Sequence, residues 1–118
     1  MENDYLSKNE LVKILEQFNI PINEGISADK ILSDGIYPKL VFWAYHHDFV
    51  VASNTALKVV DTYQVSIFTE NDNFFKKMLP VLKNNKLFPT VEQEYLNEYN
   101  CWHFYFPIDV VEEITNEK

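Results

Sequence analysis

The chain has 118 residues, 47% of them hydrophobic and 15% aromatic, which suits one compact domain over 1–118 and excludes a disordered chain. Ten lysines stand against eighteen acidic residues, for a net charge of -8, and no arginine occurs. That balance excludes the basic stripe with which a nucleic-acid binder displaces counterions, and it removes the side chain best suited to bidentate capture of carboxylate or phosphate.

The single cysteine, Cys101, has no internal disulfide partner, and the chain opens without a charged-then-apolar leader, so a cytoplasmic protein is expected. No apolar run approaches the length of a membrane span.

Near the N-terminus, Ser7 and Glu10 have capping-box spacing and Leu6 and Leu11 have hydrophobic-staple spacing. Leu11, Val12, Ile14, Leu15 and Phe18 then form one stripe, which predicts an amphipathic helix ending before Pro21. Residues 19–38 hold both glycines, Gly25 and Gly35, and read as a long loop with at most a short helical turn at 27–32.

Residues 40–51 are β-branched and aromatic, free of Gly and Pro, and predict a strand apolar on both faces. In 57–69, Leu57, Val59, Tyr63, Val65 and Ile67 alternate with Lys58, Thr62, Gln64 and Ser66, and Asp61 is the one break in the apolar set. A hairpin through 52–56 would join the two strands. Asn71, Asp72 and Asn73 offer an N-cap to a second helix carrying Phe74, Phe75, Met78, Leu79 and Leu82, which Pro80 should kink or shorten before Asn84. Two closing strands, 90–96 and 98–108, turn near Asn97 and lead into a polar tail. The expected fold is therefore α+β: a mostly antiparallel four-stranded sheet, with the N-terminal helix and a second helix packed on it.

The sharpest chemical pattern is His46-x-Asp48 followed by His103, the order of a two-histidine, one-carboxylate iron site. On a strand His46 and Asp48 share a face and His47 lies on the other with Tyr45 and Phe49, so the adjacent histidines do not chelate together. Enzymes with that triad use a double-stranded β-helix core and a late basic anchor, whereas about four strands are expected here and only Lys118 follows His103 as a basic residue. Cys101 lies two residues from His103, but an isolated cysteine among aromatic neighbours is more often a small buried apolar residue. Glu92, Glu94, Glu98 and the pair Glu112-Glu113 read as solvated carboxylates. Trp43, Tyr45, Trp102, Phe104 and Phe106 lack the basic neighbours of a nucleic-acid stacking platform and suit a core or a subunit interface. No catalytic, cofactor-binding or metal-binding residue is assigned.

The helix ending FNIP, the strands YPKLVFWAYHHDFVVASN and VVDTYQVSIFTEND, the helix NFFKKMLPVLKNN and the closing VEQEYLNEYNCWHFYFPI together resemble the tail-completion or tail-terminator (head-tail joining) proteins of long-tailed phages and prophages of Gram-positive bacteria. The more specific parts are Asp48-Phe49-x-x-Ala52-x-Asn54, Tyr63-x-Val65-x-Ile67-Phe68-Thr69 and the aromatic last strand, while 22–37 is longer and less proline-rich than the family pattern. The resemblance implies a non-catalytic virion protein without a cofactor, assembled in the bacterial cytoplasm and placed in the tail or neck. It also implies a ring, commonly hexameric, that caps the tail tube, meets the head connector proteins and lets DNA pass only as cargo. Two other classes stay open: a small metal-dependent oxygenase or hydrolase using His46, Asp48 and His103, and a monomeric regulatory or host-interaction protein of a mobile element.

Overall fold

A computed structural model describes residues 6–25, 32–51 and 56–115. In chain order these form α1 (Lys8–Glu16), β1 (Ile22–Glu24), β2 (Lys39–Val51), β3 (Ala56–Thr69), α2 (Phe75–Asn84), β4 (Glu92–Leu96) and β5 (Cys101–Thr115). The strands make one sheet in the order β1-β2-β3-β5-β4, parallel between β1 and β2 and antiparallel elsewhere. The α+β architecture is as expected, but the sheet is mixed and has five strands rather than four. The added strand, β1, is three residues long and lies in the segment read as loop, too short to display a period.

At the start of α1 the Ser7 hydroxyl accepts from the Glu10 amide at 3.2 Å and the Glu10 carboxylate accepts from the Ser7 amide at 2.9 Å, which completes the capping box. Ser7→Ala should therefore cost about 1 kcal/mol of stability, read by urea denaturation.

The second helix departs from expectation at its start. Asn71 Oδ1 accepts from the Asn73 amide at 2.8 Å, which builds a turn ahead of the helix, while Phe74 occupies the cap position without a side-chain bond. Pro80 does not end the helix, which runs on to Asn84. It closes with Leu87 N–H on Leu82 C=O and Lys86 N–H on Lys83 C=O, and Lys86 takes the left-handed position (φ 58°) that usually falls to glycine.

Both helices cover the same face of the sheet. Leu11, Leu15 and Phe18 of α1 and Met78 and Leu82 of α2 pack on Leu40, Phe42, Tyr63, Val65, Ile67, Phe104, Phe106, Ile108 and Val110. The opposite face carries a smaller cluster, Leu32, Val41, Phe68 and Cys101, flanked by Tyr37 and Trp43. Beyond it that face is open and polar, lined by Gln64, Thr62 and Asp109.

β5 continues to Thr115, past the expected end at 108, paired with β3 throughout. The flanking strands are short: β1 covers β2 only at 40–42, and β4 covers β5 only at 101–105. The far ends of β2, β3 and β5 therefore project as a three-stranded arm past both edge strands, and just ahead of α1 Leu6 bridges to Val110 at the base of this arm. The molecule measures 51 × 30 × 20 Å with a radius of gyration of 16.0 Å, against about 13–14 Å for a compact chain of this length. The hairpin connection at 52–55 and most of the short turn expected at 27–32 lie outside the described residues, as do Ala52 and Asn54.

Candidate functional site

The order of events along β2 decides where its polar residues go. Ala44 faces Tyr63, but the next pair is His46 with Thr62, so Tyr45 is an extra residue in a β-bulge. An unbroken period of two would have carried His46 onto the helix-covered face with Leu40 and Phe42. The bulge instead moves His46 and Asp48 to the open face, across from Thr62 and Val60, and His47 and Phe49 to the other. As expected, His46 and Asp48 are together, with Nε2 3.1 Å from Oδ2, and His47 shares the opposite face with Phe49. Tyr45 departs from that alternation as the unpaired bulge residue, and it is exposed. The break at Asp61 is also explained: its carboxylate lies 2.6 Å from His47 Nδ1 across the strand pair.

His103 is not part of that group. It pairs with Phe68, six positions along β3 from the Thr62 that faces His46, which separates the two by roughly 20 Å. The three residues of the iron pattern therefore do not form one site, and no cluster of three or more metal-ligating side chains occurs among the described residues.

His103 instead joins a network that the chain order conceals. Its Nδ1 lies 2.9 Å from Glu94 Oε2 and its Nε2 lies 2.8 Å from Ser66 Oγ, which also accepts from Gln64 Nε2 at 3.0 Å. The imidazole stacks at 4.5 Å on both Phe68 and Tyr105. Burial pushes the pKa of His103 down, against the opposing pull of Glu94. The neutral ring donates from Nδ1 to Glu94 and accepts the Ser66 proton at Nε2.

These distances and proton positions are those of a serine nucleophile triad. Access decides against that chemistry, because Ser66 is 0% exposed and an acyl carbon has no approach to its oxygen. The network acts as a structural clamp between β3, β5 and β4.

The clamp has a pH signature. Because the folded pKa of His103 lies below its unfolded value near 6.5, the unfolded chain binds more protons as pH falls through that value, and stability falls with it. Thermal unfolding from pH 7.5 down to 5.5 should show a falling Tm in the wild type and a shallower fall in His103→Gln.

Cys101 is fully buried beside Val41 and Phe68, and burial pushes its thiol pKa up. A protonated, enclosed thiol is a core residue, as the sequence suggested. Tyr37 above it is pushed up to about 12, chiefly by burial, and its hydroxyl donates toward the carbonyls of Leu32 and Tyr99.

Glu92 is exposed, whereas Glu94 is both exposed and engaged by His103. Of the aromatic set, Phe104 and Phe106 are core, Trp102 packs at the core margin against Tyr95 at 5.0 Å, and Tyr45 is exposed.

What the surface offers is a pair of apolar features at opposite ends. Phe49 stands 74% exposed on the arm, with exposed Val50 next to it in sequence and exposed Tyr45 at the bulge. At the other end Phe75 and Leu79 of α2, with Phe88 at 81% exposed, line a shallow apolar groove of about 280 Å³. Phe74 at the N-cap and Met78 and Leu82 of the helix face the core, so the apolar residues around α2 form two stripes, one inward and one outward. No helix among the described residues is long and apolar enough to cross a membrane.

Comparison of the sequence with models of protein families and with curated proteins gives no match.

Proposed function

We propose that the chain is a non-enzymatic structural subunit of a phage tail, which assembles with copies of itself into a ring that completes the tail tube and joins it to the head connector. The observation that carries this reading is the arm. Three long strands run past both short edge strands, and on this stretch β2 carries the exposed apolar side chains Tyr45, Phe49 and Val50. An isolated sheet end of that kind leaves backbone donors and acceptors and large apolar surface in water, and natural folds leave them so where another chain covers them.

The separation of His103 from His46 and Asp48, and the enclosed Ser66 and Cys101, favour this reading over the metal-dependent enzyme. A net charge of -8 suits a channel wall that repels the phosphate backbone of passing DNA. The tail-tube protein and head-tail connector proteins are the partners of this reading.

Immunogold labelling of particles released from cells that carry the gene tests it. Label at the head-proximal end of the tail is the expected result, and label confined to the cytoplasm overturns it.

A further inference from the structure

The two exposed apolar features differ in charge. Residues 73–91, which contain α2 and the groove, carry Lys76, Lys77, Lys83 and Lys86 and no acidic residue, in a chain whose net charge is -8. All four lysines are exposed, and none belongs to an ion pair among the described residues. Among the described side chains the arm is the reverse: Asp48, Asp61, Asp109 and Glu112 stand against a single lysine, Lys58.

The two surfaces cannot meet within one molecule. Phe74 at the start of α2 packs against Phe104, with ring centroids 6.4 Å apart, whereas Phe49 sits level with Val59 and Glu112. Eight residues of extended β5 separate these levels, about 26 Å of strand. A contact between them therefore needs a second copy, and a contact between two different patches is heterologous, repeating head to tail until the rotation closes a ring.

We propose that the arm of one copy docks in the α2 groove of the next, with Phe49 seated among Phe75, Leu79 and Phe88 and the acidic arm against the lysine rim. This assignment rests on the ring-subunit reading and adds to it the identity of the receiving surface. The apolar seat supplies the affinity, and the opposed charges set orientation and exclude arm-to-arm and groove-to-groove pairing. Lys86 fits this assignment, since it holds a positive charge at a left-handed position where glycine would be relaxed.

Two charge-reversed proteins test the contact: Glu112→Lys on the arm, on the same face as Phe49, and Lys76→Glu with Lys83→Glu on the groove, each checked for wild-type circular dichroism. Each alone should self-associate at least tenfold more weakly than wild type. An equimolar mixture should recover assembly, because each reversed surface then finds its complement on the other protein. If the wild type assembles but both reversed proteins assemble equally well, or the mixture recovers nothing, the docking is wrong and the ring reading stands. A wild type that is monomeric throughout overturns both.

Discussion

Replacing Phe104 with alanine should remove about 3–5 kcal/mol of stability, a large part of what a domain of this size has. Phe104 is fully buried, pairs with Ile67 on β3 and Gln93 on β4, and lies under Phe74 at the start of α2. Its ring thus joins the sheet to the second helix, and the cavity left by alanine has rigid strands on two sides that cannot collapse into it. Tm should fall by roughly 10–20 °C. Phe88→Ala, at a position 81% exposed, is the matched control and should change stability by no more than about 0.5 kcal/mol. A loss below about 1 kcal/mol for Phe104→Ala would contradict the placement of the core on the helix-covered face.

Phe49→Asp should do the opposite, sparing the fold and weakening assembly. Phe49 is 74% exposed in the isolated chain, so the folded monomer loses little. In an assembled ring the same position would be enclosed. Losing a buried phenylalanine costs about 1.5–3 kcal/mol and enclosing an unpaired carboxylate costs more, so self-association should weaken by roughly a hundredfold or more. Sedimentation velocity alongside thermal unfolding separates the two effects. Unchanged assembly, or a Tm drop as large as that of Phe104→Ala, would show that Phe49 is not an interface residue.

Local signals were legible where chemistry and structure share one stretch of chain. Ser7 and Glu10 announced α1, and the alternation of Val59, Tyr63, Val65 and Ile67 announced β3 with its correct inner face. Glu94 and His103 could also have been matched, because counting outward from the turn at 97–100 pairs them directly. Their bond to Ser66 could not, since it depends on the β3–β5 register, which no local turn sets.

The bulge at Tyr45 was equally hidden. Its sequence is that of an ordinary aromatic strand, yet it decides that His46 leaves the core face and that His47 meets Asp61. β1 was missed because three residues show no period, and its pairing comes from bonds such as Leu40 N–H to Pro21 C=O at 2.8 Å rather than from side chains. The projection of the arm became visible only with strand lengths in hand, since it follows from long central strands beside short edges.

Native mass spectrometry of the purified chain, alone and with isolated tail tubes, tests the central claim most directly. The expected result is a closed species of fixed copy number, a whole multiple of the 14.0 kDa subunit. A 14.0 kDa monomer at every concentration, with and without tail tubes, would contradict it.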